Sequence, residues 1–148
     1  MKKQAGFFFV EVMVSVLVIS IMAAIAIPFY NARIIKAKLT EVTENMEAVR
    51  VGLVDYRKLH GTFTSCDDAV MIRNSLGVGV YVAQGSRIKN ISVENGAVKT
   101  TLQNIGSNCD GKTLTLVPII DSSTDGVLWR YSGTLLTDSK TQAYAPRR

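Results

Sequence analysis

Glu11 is a carboxylate inside an otherwise apolar run, Phe7-Phe8-Phe9-Val10-Glu11-Val12-Met13-Val14 and onward to Tyr30. On insertion scales a carboxylate within an apolar span costs roughly 2.5–3.5 kcal/mol, which makes such a residue a functional candidate. Two arrangements reduce that cost. Only four residues into the run, Glu11 can lie near a membrane surface and reach the headgroups. Alternatively, it can meet a positive partner inside the apolar layer. A freed amine at Phe7, on the same or a neighbouring chain, would be that partner. Packing many such helices together would then bury each carboxylate beside an amine.

The other reactive side chains point to little chemistry. Cys66 and Cys109 both follow the apolar run. If that part of the chain lies outside the cytoplasm, an even count of two reads as one disulfide. The bridge would close a loop of about 44 residues and contribute on the order of 3–4 kcal/mol in the chain-entropy model. Two unrelated buried thiols fit the spacing as well. A metal site fits it poorly, because His60 is the sole imidazole and no CxxC spacing occurs. Asp121 and Asp125 sit in a Ser/Thr-rich loop that offers oxygen ligands, yet they lack the dense spacing of a calcium loop and read as turn residues. His60, beside Gly61, reads as a helix-end residue complementing the dipole. No nucleophile stands near it at triad spacing, so neither an enzyme nor a cofactor is indicated. Trp129 reads as a core anchor. Arg130, Lys140, Arg147 and Arg148 could form a basic tip able to touch DNA phosphates, but they read better as a frayed basic tail.

The elements that position these residues follow from periodicity. The run Phe7–Tyr30, about 24 residues, spans about 36 Å as a helix, enough to cross a bilayer. Lys2 and Lys3 precede it, which places the N-terminus in the cytoplasm by the positive-inside rule. A secretory signal has a shorter apolar core with its small-residue cleavage site behind it, whereas Gly6 lies in front. Beyond Pro28 the pattern turns amphipathic. Ile35, Leu39, Val42, Met46, Val49, Leu53 and Tyr56 recur at alternating steps of four and three, predicting an apolar stripe on a continuing helix that stops at Gly61. The stripe is too short for a convincing two-chain coiled coil and is expected to cover a sheet.

Farther on, Ser65-Cys66-Asp67-Asp68 has capping-box spacing and predicts a short helix ending near Gly77. Strands are expected at 79–83, 87–93, 97–105, 112–117 and 127–131, the first of them broken by glycine, with Asn95-Gly96 as a type I′ turn. The expected fold class is α+β, with the long helix packed on three or four antiparallel strands. The segments are 1–6, 7–30, 31–60 and a globular head at 61–148. The formal charge of +5 includes Lys2 and Lys3; without them 15 basic side chains face 12 acidic ones. That balance, with no dense basic run, does not indicate nucleic-acid binding.

Gly6-Phe7, Glu11 and Ile21-Met22-Ala23-Ala24-Ile25-Ala26-Ile27-Pro28-Phe29-Tyr30 together strongly resemble the N-terminal segment of type IV prepilins. The resemblance implies a long-helix pilin fold, cleavage by a membrane aspartyl peptidase after Gly6, and methylation of the new amine at Phe7. Glu11 would be the glutamate that pairs with a neighbour's amine during assembly, and Pro28 the helix-kinking proline. Phe8-Phe9, Ser15 and Ser20 depart from the commoner residues. The implied protein is an inner-membrane precursor that becomes a homo-oligomeric pilus subunit in adhesion, motility or DNA uptake. Its implied partners are other pilin subunits, the prepilin peptidase and the inner-membrane assembly machinery. A type II secretion pseudopilin and a minor competence pilin share the same segment and are the alternatives. The head resembles a pilin head less specifically. The family's usual C-terminal disulfide is not matched, which leaves the C-terminal tail untethered on this reading.

Overall fold

The computed structural model describes residues 4–106, 108–121 and 126–146. Two compact units divide the chain, Met1–Ile34 and Ile35–Arg148. Helix α1, Gln4–His60, begins in the first unit and continues into the second.

Within the first unit, the large apolar side chains from Phe8 to Tyr30 stand exposed, Phe8 at 70% and Leu17 at 60%. This stretch is long and apolar enough to cross a membrane. Ser15 donates its hydroxyl to the Glu11 carbonyl at 2.9 Å, and Ser20 donates to that of Val16 at 2.7 Å. Both serines thus satisfy themselves on their own helix, which is what allows hydroxyls in an apolar span. The helix runs through Pro28, where the missing N–H leaves the Ala24 carbonyl without its usual donor.

In the second unit the predicted stripe forms the core. Leu39, Val42, Met46, Val49 and Leu53 are buried, while Ile35 and Tyr56 at its two ends are half-buried. Full burial of such side chains is worth roughly 1.5–3 kcal/mol each. Gly61, at φ +75°, ends α1 with its N–H on the Arg57 carbonyl at 2.7 Å. Helix α2 is Ala69–Leu76 and stops at Gly77 in the left-handed region. Its cap is Asp68, which accepts from the Met71 N–H at 2.8 Å. Ser65, the cap expected from spacing, instead accepts from the Asn95 N–H and so ties the chain to a distant turn.

Four strands, β1 (Ile88–Glu94), β2 (Ala97–Leu102), β3 (Thr113–Ile120) and β4 (Val127–Ser132), pair antiparallel in sequence order. Asn95 and Gly96 both have positive φ, as a type I′ turn requires. A side chain at position 96 would run into the Phe63 ring. β3 extends past its predicted end through Pro118. That is possible because β2 pairs only with residues 113–116, leaving the proline on a locally open edge.

The strand expected at 79–83 does not form. Val80 is buried there, but the backbone is held by side chains and not by a ladder. Ser86 Oγ bonds to Ala83 and Ile88, the Gln103 amide donates to the Ala83 and Ile88 carbonyls, and the Asn104 amide donates to those of Gln84 and Ser86. These bonds satisfy the polar backbone in place of a strand partner.

The C-terminal segment is tethered, contrary to expectation. Helix α3 (Thr134–Thr137) buries Leu135 and Leu136. Buried Thr141 donates its hydroxyl to the Leu135 carbonyl at 2.8 Å, and Lys112 of β3's approach pairs with Asp138. At Gly133, φ +120°, a Cβ would lie 2.4 Å from the Thr113 carbonyl oxygen, so only glycine admits this approach. A short 3₁₀ turn, Gln142–Tyr144, follows, and Tyr144 packs against the core.

Candidate assembly site

The first-unit helix places Glu11 four positions after Phe7, one helical turn along the same face. Val10, Val12, Met13 and Val14 around it are all exposed apolar side chains. Among the described residues Glu11 has no ion-pair partner, and its neighbour Ser15 has already given its hydroxyl proton to the backbone. Gly6 and the Phe7 backbone lie in α1; the Phe7 side chain is outside the described residues. The arrangement is a carboxylate on an apolar rod, able to accept charged hydrogen bonds from a cation brought to it by another chain.

In the head, polar contacts join elements that lie far apart in the chain. Tyr131, on the inner face of β4, donates its hydroxyl to Glu47 of α1 at 3.0 Å, and Glu47 also pairs with Arg50. Burial and the bond to Glu47 push the Tyr131 phenol up to about 12. On the opposite flank, Arg87 joins Glu41 at 3.5 Å and donates to the Asn104 carbonyl at 2.9 Å, while Lys38 caps the Ile105 carbonyl at 3.0 Å. Sequence reasoning missed these clamps because their partners lie far apart in the chain. Inward alternation of Trp129 and Tyr131 on one strand was the available signal. Trp129 is half-buried and meets Phe63 edge-on at 6.1 Å, so it closes the rim of the core instead of anchoring its centre.

The remaining candidates take structural places. His60 stacks on Tyr56 with ring centroids 4.0 Å apart, and its Nδ1 bonds to the Tyr56 carbonyl at 3.0 Å, holding the end of α1. Asp121 donates its backbone N–H to Gly126 across the loop, and Asp125 lies outside the described residues. Among the described residues no group of three or more His, Cys, Asp or Glu side chains is placed to hold a metal. Arg130 stands exposed on the outer face of β4 and Lys140 in the C-terminal segment; Arg147 and Arg148 lie outside the described residues.

Cys66 and Cys109 are both buried and unbonded, which corrects the expected bridge. Cys66 exchanges backbone bonds with Val93 at 2.8 and 2.7 Å, beside the 95–96 turn. Cys109 lies past the far end of the same hairpin, where Leu102 bonds to Gly111 and Lys112. Val98, opposite Val93, and Leu102 are separated by at least about 13 Å of strand. A disulfide needs Cα atoms within about 7 Å.

The family model for pilin, the bacterial filament protein, matches residues 35–147, which is most of the head unit. This chain belongs to the pilin family. Among curated relatives, it is 27% identical over 115 residues to the type IV major pilin protein PilE of Neisseria gonorrhoeae, covering 76% of this chain and 66% of that protein. A Neisseria meningitidis fimbrial protein is 26% identical over the same length, with 76% and 65% covered. This pilin therefore spans just under two thirds of the length of those relatives. The prepilin peptidase-dependent protein D of Escherichia coli K12 is 28% identical over 142 residues, 96% of this chain and 91% of that protein. That alignment takes in most of α1 as well as the head. The family is structural and not enzymatic, and the observed helix on a four-stranded antiparallel sheet is its α+β fold.

Proposed function

We propose that this pilin is the structural subunit of a type IV pilus, made as an inner-membrane precursor, cut between Gly6 and Phe7 and methylated on the Phe7 amine. The observation that carries the reading is the lone carboxylate of Glu11 on an exposed apolar helix that is long enough to span a bilayer. Before assembly, lipid covers segment 7–30. In the filament, equivalent helices replace the lipid. Because lipid is as apolar as the side chains it leaves, the exchange gains little from hydrophobicity and depends on packing and on polar pairing. Glu11 supplies that pairing by accepting from a neighbour's Phe7 amine, and so sets the register between chains. Pro28 softens the helix as it leaves the membrane. The name of the Escherichia coli relative, a prepilin peptidase-dependent protein, supports processing after Gly6.

The test is the intact mass of this chain in sheared surface filaments, together with a Glu11→Gln variant. A dominant species beginning at methylated Phe7 is expected, and Glu11→Gln should insert normally while filament yield falls. The mature chain found only in membranes would favour the pseudopilin reading. An uncut chain, or full filament yield from Glu11→Gln, would overturn the assignment of these residues.

A further inference from the structure

The two cysteines remain unexplained by assembly, since both are buried within the head. Each is fixed in a place that excludes the other. Cys66 is held by a two-way backbone bridge to Val93, one hydrogen bond in each direction. Its surroundings belong to the end of the head marked by Phe63 and Gly96. Cys109 sits in a tight turn whose N–H groups return to the Gly106 carbonyl, and Gly106 lies near Ile35, at the other end of the covered part of α1. Ile35 and Phe63 are separated by most of the head helix, so bringing the two sulfurs together requires undoing either the β1 bridge or the 106–111 turn.

We propose that Cys66 and Cys109 form a redox checkpoint on folding of the head: as separate buried thiols they belong to the native fold, whereas the disulfide joining them belongs only to chains oxidised before folding. In the unfolded chain nothing holds the thiols apart, and a loop of about 44 residues closes at modest entropic cost. A disulfide oxidant then takes two electrons from the pair. The two thiols lose their protons, an S–S bond forms between Cys66 and Cys109, and the oxidant is reduced to its own two thiols. The product cannot form the β1 bridge and the 106–111 turn together. Once folded, the head is protected, because buried thiols exchange poorly and burial, together with Asp110, pushes the Cys109 thiol up. Folding and oxidation therefore compete for the same chain, and the order of events decides the outcome. This inference stands apart from the pilus reading, since it concerns only the two cysteines of this head.

The experiment uses the full chain in detergent micelles, unfolded in denaturant and then diluted, with oxidised glutathione added either before or after dilution. Native protein is scored by cooperative melting and thiols by mass after maleimide labelling. Oxidant added after folding should leave two thiols that label only on denaturation. Oxidant added before folding should give a chain two hydrogens lighter and lower native recovery at least about tenfold, because the bridge is geometrically incompatible with the fold. Subsequent reductant should restore recovery. A Cys66→Ala/Cys109→Ala double variant should refold equally with or without oxidant. The wild-type measurements decide the matter even if that variant folds poorly. A native, cooperatively melting chain that carries the Cys66–Cys109 bridge would overturn the proposal, as would wild-type recovery unaffected by the order of addition.

Discussion

Residues 8–30 and residues 35–56 belong to one helix yet solve opposite problems. The first stretch is apolar on every side apart from Glu11 and two serines, and its large side chains remain exposed. The second is apolar along one stripe, and the sheet of the same chain covers that stripe. The difference shows how a single element serves two kinds of stability. The amphipathic half is satisfied within the chain, so its substitutions act on folding. The exposed apolar half needs an environment from outside, lipid or other helices, so on the proposed function its substitutions act on association.

The strongest way to break this division is to truncate matched residues in the two halves. Leu53→Ala, in the core, should lower head stability by about 2–5 kcal/mol in denaturant melts. Leu17→Ala, on the exposed stretch, should leave the head transition where it was and reduce filament yield instead. A head destabilised by Leu17→Ala would erase the distinction. A smaller effect, of opposite sign, sharpens it. The Thr100 hydroxyl is fully buried on the core face of β2 and has no hydrogen-bond partner among the described residues. Thr100→Val should therefore raise head stability by about 1 kcal/mol without altering assembly. No gain in melting temperature would mean that the hydroxyl is satisfied after all.

The smallest expected effect is a pH dependence confined to the head. The Tyr131 phenol is raised from 10 to about 12 by burial and by its bond to Glu47. The folded state thus holds this proton more tightly than the unfolded state does. Its contribution is complete below pH 10 and is lost as pH climbs from 10 to about 12. Tyr131→Phe should flatten that part of the stability profile, and melts between pH 9 and about 12 would read it. An unchanged alkaline slope in the variant would assign the loss to other groups.

Much of the fold was legible in the sequence because it follows from local rules. The step-of-four-and-three stripe gave the buried face of α1, the Asn95-Gly96 pair gave its turn, and alternation gave β3 and β4 to within a few residues. The long exposed apolar helix was legible because its run of apolar residues is unbroken except at Glu11, Ser15 and Ser20. What escaped depends on partners remote in the chain. Val80 is apolar and buried, so 79–83 looked like a strand, but the bonds that hold it come from Gln103 and Asn104. Ser65 had the right spacing for a cap, and Asn95 claimed it. The C-terminal segment lacked a cysteine and seemed loose, yet Asp138, Thr141 and the bare backbone of Gly133 secure it. The cysteines misled most, because counting them said nothing about which ends of a hairpin they occupy.

The sheet order β1-β2-β3-β4 is a meander, each strand paired with the next in sequence. Loop-closure entropy is therefore small within the sheet and concentrated where α1 meets it. Val93 and Val98 need only a turn between them, whereas the Tyr131 hydroxyl and Glu47 are 84 residues apart. Closing the first contact constrains a short arc of chain, and closing the second constrains most of the head. The contact order of this head is thus set by one surface, the underside of the helix, and its folding rate should follow the fate of that surface rather than that of any hairpin.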